Sequence, residues 1–306
     1  MTQNVVLETI NLTKRYAGTR GHPGRLALNR LSLTVQRGEI FGYLGPNGAG
    51  KTTTIRLMLD LIRPTEGSVR IFGLDAHRDA VSIKRMVGNL PSEVRLWDHL
   101  TGLQVLRYLC RLRPGCDFRY ALELAERLNL NLNVSVRNYS TGNKRKLGII
   151  QALMHKPQLL IFDEPTMGLD PLVSHTFNQL IREVRDEGRT VFLSSHVLSE
   201  VEQVCDRVAV LRDGTLQAVE RISDLKNVLY RWVTLVTRAP LEPREFMALP
   251  GVNDAQRIDK GIRICVTGSL DPVIKLAARY PIDDLSVEQP TLEDFFMTFY
   301  GQTTHD

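Results

Sequence analysis

The sequence predicts an α/β protein, a mainly parallel sheet with helices packed on it, followed by a small α+β domain. Three observations predict this. Apolar β-type runs alternate with helix-period segments up to about residue 222, the pattern of parallel strands joined by helical crossovers. A glycine-rich segment, Gly45 to Gly50, stands between one such strand and one such helix. Beyond residue 222 the order becomes strand, helix, two strands, helix, strand, a ferredoxin-like βαββαβ succession. The expected domains are therefore 1–222 and 223–306.

The elements follow from local chemistry. Val5–Glu8 and Leu31–Val35 are β-type runs. Between them, Gly18 to Arg25 is a turn-rich basic loop. After the Arg37-Gly38 turn, Glu39–Leu44 is a strand running into glycines. Thr52 to Ile62 has helical apolar spacing and stops before Pro64. Residues 98 to 138 are expected to be mostly helical, with Leu103, Leu106, Leu109 and Leu112 at threefold spacing. Gln158–Phe162 and Thr190–Leu193 are buried strands, Val208–Leu211 is a further strand, and Leu172–Glu187 is a helix. In the tail, strands are expected at 231–237, 252–258, 261–267 and 282–288, with helices at 243–249 and 271–280. Pro290-Thr291-Leu292-Glu293 opens a last helix, with acidic residues in its first turn.

Bulk properties narrow the class. The chain has 306 residues, 43% hydrophobic and 24% charged, the composition of a globular protein with a sizeable core. No apolar run approaches the ~18 residues that cross a bilayer. Met1 to Ile10 lacks a basic start followed by an apolar core, so no secretory signal is expected. A cytoplasmic protein follows, with any membrane step left to a partner. The formal charge of +5 comes without a basic run or interleaved aromatics, so no nucleic-acid partner is expected. The four cysteines form no C-x-x-C pair and are expected to be reduced, mostly buried thiols.

Gly45-Pro46-Asn47-Gly48-Ala49-Gly50-Lys51-Thr52 matches the phosphate-binding pattern G-x-x-x-x-G-K-[ST] between a strand and a helix, and Thr53 follows it. Glycines let backbone N–H groups turn toward phosphate oxygens with no Cβ in the way. The helix N-terminus adds partial positive charge. Lys51 would reach the β- and γ-phosphates of a nucleotide, and Thr52 would offer its hydroxyl to Mg²⁺. Leu159–Phe162 is an apolar run that delivers Asp163 and Glu164 to the C-terminal edge of the sheet, where open α/β sheets bind ligands. Asp163 would hold Mg²⁺, directly or through water. Glu164 would position and polarise the attacking water. His196, at the end of the next buried strand, would contact the γ-phosphate and keep water and Glu164 in line.

Tyr139-Ser140-Thr141-Gly142-Asn143 precedes a helix shortly before the Asp163-Glu164 strand. With it, the chain resembles an ABC ATPase over about residues 5 to 222. The segment corresponds to the family signature, usually Leu-Ser-Gly-Gly-Gln; Ser140 and Gly142 match, while Thr141 and Asn143 depart. The resemblance implies a P-loop NTPase core with a mainly helical signature subdomain at about 92–150. It also implies that Ser140 and Gly142 contact the γ-phosphate held by an opposing subunit, so that two chains sandwich two ATP molecules. Gly168-Leu169-Asp170 is similar to the family's D-loop, which crosses the dimer interface. Tyr16 stands where the family stacks an aromatic ring on adenine. The longer Gly18–Arg25 loop is a surface insertion, or else brings Arg20 or Arg25 to the nucleotide.

The family usually ends the strand after its first helix with Gln, which senses Mg²⁺. Here Ser92 takes that place and Glu93, the next residue, is the candidate replacement ligand. This loop, the Leu96–Gly102 stretch and the tail ending Pro290–Phe296 resemble subunits of drug- and antibiotic-efflux systems. Those pair, as homodimers or heterodimers, with a separate integral-membrane permease on the inner face of the cell membrane. The alternative is a soluble ABC ATPase acting on ribosome or DNA. Against it, this chain has one cassette, and no heptads or cysteine clusters.

Overall fold

Three short segments, Ile40–Leu44, Leu159–Asp163 and Thr190–Ser195, are buried at every position. Strands covered on both faces read as continuous apolar runs, as parallel strands flanked by helices do. In the computed structural model, which describes residues 4–18, 24–113, 116–226, 230–237 and 241–288, these strands lie side by side. The chain forms two compact units, Met1–Arg221 and Ile222–Asp306.

The first unit runs β1 (Val5–Tyr16), β2 (Arg25–Gln36), β3 (Ile40–Leu44), α1 (Lys51–Met58), β4 (Glu66–Ile71), β5 (Leu74–Asp75), α2 (Ala80–Met86) and β6 (Val87–Leu90). It continues with α3 (Gly102–Arg111), α4 (Phe118–Arg127), α5 (Thr141–Leu153), β7 (Leu159–Asp163), α6 (Pro171–Asp186), β8 (Thr190–Ser195), α7 (Leu198–Val204), β9 (Arg207–Arg212) and β10 (Thr215–Arg221). One sheet has the order β10-β9-β3-β8-β7-β6. Its strands β9, β3, β8, β7 and β6 are parallel, and β10 closes the edge antiparallel to β9. Because they are parallel, β3, β8, β7 and β6 all end at the same sheet edge. Leu44 is in register with Ser195, Asp163 with Ser194, and Leu90 with Phe162.

The parallel sheet is as expected, but a second sheet was not. β2-β1-β4-β5 forms a separate antiparallel sheet, and β1 and β2 are each 12 residues long, well beyond the short runs read from sequence. The link from Tyr16 to Arg25 is too short for a crossover helix, so β1 and β2 must pair antiparallel. The 98–138 stretch contains two ten-residue helices, α3 and α4, and a 3-10 turn at Val136–Asn138. A capping box at Thr101 and Gln104 starts α3. The expectation of reduced thiols fails for one pair: Cys110 and Cys116 form a disulfide. The turn after α3 brings their Cα atoms to 5.4 Å, inside the range a disulfide spans. Cys205 and Cys265 are free and buried.

The second unit contains α8 (Ile222–Lys226), β11 (Tyr230–Thr237), α9 (Pro243–Met247), β12 (Val252–Ile258), β13 (Gly261–Thr267), α10 (Asp271–Ala277) and β14 (Ile282–Glu288). Its antiparallel sheet has the order β12-β13-β11-β14. Val233, Leu235, Phe246, Ile262, Ile264 and Val273 form its core. The helix expected from Pro290 lies outside the described residues.

A half-buried histidine gives the fold a pH signature. Arg113 approaches Nε2 of His155 at 2.7 Å, and burial, then the Arg113 charge, pushes the imidazole down from 6.5 to about 4. The fold therefore favours neutral His155, while the unfolded chain takes up a proton at its ordinary pKa. That stabilisation is complete above pH 6.5 and is lost as pH falls toward about 4. Urea midpoints measured between pH 7.5 and 5 should fall less in His155→Gln than in the parent. Parallel curves would remove His155 as the cause.

Candidate functional site

A cradle follows β3. The chain leaves Leu44, turns through Gly45–Gly50 and enters α1 at Lys51. Gly50 caps α1 with φ 111°, and no side chain occupies that cap. A Cβ there would stand 2.6 Å from the Ala27 carbonyl oxygen, so both backbone conformation and space require glycine. The first-turn N–H groups of α1 are thus presented without a competing side chain, an arrangement suited to an anion. Lys51, only 6% exposed, donates to the Gly45 carbonyl at 2.6 Å and pairs with Glu164 Oε1 at 3.2 Å.

The neighbouring strand ends supply the rest. Asp163, 1% exposed at the end of β7, accepts from Thr52 Oγ1 at 2.8 Å and from Ser194 Oγ at 2.6 Å. Glu164 follows in the left-handed region, φ 51°, a costly conformation for a non-glycine residue. Its N–H donates to Ser194 Oγ at 3.1 Å, and its carboxylate takes His196 Nδ1 at 2.7 Å. One Glu164 oxygen therefore faces Lys51 and the other His196. Beneath them, Arg145 of α5 is 2% exposed. Burial lowers its pKa from the usual guanidinium value, opposed by the charges of Asp163 and Glu164.

A cavity of about 360 Å³ opens over this edge, lined in part by Tyr16, Pro46, Asn47, Gly48, Gly50, Lys51, Thr52, Thr53 and Glu164. Gly45 and Ala49 complete the loop behind it, and Asp163 and His196 reach it through Thr52 and Glu164. Tyr16 stands at the rim, its hydroxyl 3.4 Å from Thr53 Oγ1. Arg25, raised from sequence as an alternative, lines the cavity and donates to the Gly48 carbonyl at 3.0 Å; Arg20 lies outside the described residues.

Other expected residues stand elsewhere. Ser140, Gly142 and Asp170 do not line the cavity. Ser140 caps α5 by accepting from Asn143 N–H, and Asp170 caps α6 by accepting from Val173 N–H. Gly142 packs so closely on Gly168 that a Cβ would come 2.8 Å from its carbonyl oxygen. Glu93, expected as a metal ligand, is turned away: its carboxylate pairs with Arg95 at 3.1 Å, and it is 72% exposed. The reason is local. Arg145 donates to the Ser92 carbonyl at 2.6 Å, and the turn so fixed presents Ser92, not Glu93, to the cavity.

Sequence reasoning missed Arg145, Ser194 and Met167, which also lines the cavity. Two serines ending an apolar strand were the available signal for Ser194. Arg145 stands between Lys144 and Lys146, and nothing in the local pattern sets it apart from them.

Thr52 Oγ1 and the Asp163 carboxylate are hard oxygen donors held together by a 2.8 Å bond. They fit Mg²⁺, which takes one or two protein oxygens and completes its shell with water and phosphate oxygens.

Comparison with known proteins finds relatives of one family. The family model described as ABC transporter matches residues 28–167. The bacitracin transport ATP-binding protein BcrA of Enterococcus faecalis is 40% identical over 229 residues, covering 74% of this chain and 72% of the relative. The linearmycin resistance ATP-binding protein LnrL of Bacillus subtilis (strain 168) is 29% identical, with 98% of this chain and 100% of the relative covered. Among solved structures, a dimeric ATP-binding cassette in a post-hydrolysis state, bound to ADP and Pi, is similar at TM-score 0.65 and 26% identity, over 71% of this chain and 98% of its own.

Ser194 bridges Asp163 and Glu164, so its removal should be felt in stability. Ser194→Ala takes a donor from a buried carboxylate and an acceptor from the Glu164 N–H. A loss of about 1–3 kcal/mol is expected in urea unfolding. A change within about 0.5 kcal/mol, the usual size at the surface, would contradict this bonding.

Proposed function

We propose a working cycle for this chain from one premise: it belongs to the family of ABC transporter ATP-binding proteins and is an ATPase. The observation that carries the cycle is the meeting of Lys51, Asp163, Glu164 and His196 at one sheet edge beside a glycine cradle. In this reading Gly45 to Thr53 wrap the triphosphate of ATP, and Lys51 leaves Glu164 for the β- and γ-phosphate oxygens. Tyr16 stacks on the adenine. Thr52 and Asp163 hold Mg²⁺, which neutralises phosphate charge when bound.

Glu164 then orients a water molecule and accepts its proton as the oxygen attacks the γ-phosphorus. The bond from that phosphorus to the β-bridging oxygen breaks, and the electron pair leaves with ADP. His196, already on Glu164, keeps the carboxylate aimed and supports the γ-phosphate.

Ser140, Gly142 and Asp170 act on a second subunit's nucleotide. Their position off this chain's cavity supports that assignment, as does the dimeric state of the similar cassette. Two subunits close on two ATP molecules, and hydrolysis removes the charge that held them. Closure works on a separate membrane permease docked near residues 92–106. Trp97, 42% exposed, stacks edge-on against Tyr108, 49% exposed, and gives that region an apolar face to present. The cargo is an antibiotic or similar hydrophobic compound moved outward, a reading supported by the bacitracin and linearmycin relatives. The chain works on the cytoplasmic face of the membrane. No helix among the described residues is long and apolar enough to cross it.

Two experiments test this function. Glu164→Gln should keep nucleotide affinity within about threefold while turnover falls about 10²–10⁴-fold. Near-normal turnover would remove Glu164 from that step. Mild-detergent capture of the tagged chain from its own host should recover a polytopic membrane protein in stoichiometric amount. Recovery of ribosomal or DNA-associated chains alone would overturn the transporter role.

A further inference from the structure

Arg145 heads the largest fully buried side chains, and its partners are main-chain carbonyls. Nη1 donates to Glu164 O at 2.9 Å, to Asp163 O at 3.3 Å and to Pro91 O at 3.5 Å, while Nη2 donates to Ser92 O at 2.6 Å. One guanidinium thus holds two chain segments: the turn after β6 and the exit of β7. Each segment contributes a residue to the cavity, Ser92 from the first and Glu164 from the second.

The exit of β7 needs holding. Glu164 has φ 51°, and a non-glycine residue stays in that region only where its surroundings enforce it. Ser194 holds its N–H, and Arg145 holds its carbonyl. Placing a cation under β7 costs desolvation, which Arg145 offsets with carbonyl dipoles. An apolar residue would fill the space without that cost, so packing alone does not account for a guanidinium here. The fork has two donors at a fixed spacing, which a lysine ammonium cannot reproduce.

We propose that Arg145 is a positioning residue for ATP hydrolysis: by clamping the Glu164 carbonyl to the Ser92 turn it sets where the Glu164 carboxylate stands. Because Arg145 lies on α5, the helix that Ser140 caps, it also links the signature segment to this chain's own site. The proposal rests on Glu164 acting as the water-activating group.

The experiment is a double-mutant cycle on the full chain, with Arg145→Lys, Glu164→Gln and the pair. Arg145→Lys should lower kcat about 100-fold, the scale of an ångström-sized misplacement. Affinity for a fluorescent ATP analogue should stay within about threefold, which also reports that the variant folds. In the Glu164→Gln background the same substitution should change the residual rate less than about twofold. Equal fold-losses in both backgrounds would overturn the proposal, because Arg145 would then act independently of Glu164. An unchanged kcat in Arg145→Lys would overturn it as well. If Arg145→Lys loses nucleotide binding and its cooperative unfolding, Arg145→Gln, which removes the buried charge and keeps one donor group, goes through the same cycle under the same criteria. High activity in Glu164→Gln alone would instead count against the base assignment, and so separates the two failures.

Discussion

A carboxylate buried at the end of a strand must be given donors, and much of the site follows from how Asp163 receives them. It is 1% exposed, and an unpaired charge there would be untenable. Thr52 reaches it from the first turn of α1 and Ser194 from the end of β8. The first bond ties the cradle to β7, and the second ties β7 to β8 beside it. They set the first turn of α1 beside β7, and with it the position of Lys51. The same Ser194 hydroxyl accepts from the Glu164 N–H, so the group that supports one acid also places the next.

Asp163 and Glu164 are adjacent in sequence yet sit in different surroundings. Asp163 is locked by two hydroxyl donors. Glu164, 13% exposed, turns through a left-handed backbone into the cavity and lies between Lys51 and His196. A carboxylate fixed in place suits a cation site, and one placed between a lysine and a histidine at the cavity suits handling a proton. Lys51 bears on the second, because an anion that drew it from Glu164 would free one carboxylate oxygen.

Much of this is legible in the sequence. Strands covered on both faces carry apolar runs such as Leu159–Phe162, so their sequence announces them, and the glycines of the cradle are fixed by backbone geometry and close packing. The tail's strands and helices could be read in order, because period-2 and helical patterns were separated by turn residues. What stayed hidden depended on distant partners. The antiparallel sheet of β1, β2, β4 and β5 needs pairings across more than fifty residues. Arg145 resembles its basic neighbours, and only its carbonyl partners distinguish it. Glu93 looked a better ligand than Ser92 by chemistry alone. The turn that Arg145 fastens puts Ser92, not Glu93, on the cavity wall. The Cys110–Cys116 bond depends on a 5.4 Å approach of their Cα atoms that local composition did not reveal.

The central claim is that each nucleotide site is built from two chains, with the cradle on one and the Ser140 segment on the other. Mixing two inactive chains tests it most directly. Lys51→Ala disables the cradle and leaves the Ser140 segment intact; Ser140→Ala does the reverse. Their mixed dimer has one site with both defects and one with none. ATPase activity measured after mixing should therefore rise well above that of either variant alone and show a maximum near equal proportions. Activity that equals the weighted mean of the two variants at every mixing ratio would contradict a shared site.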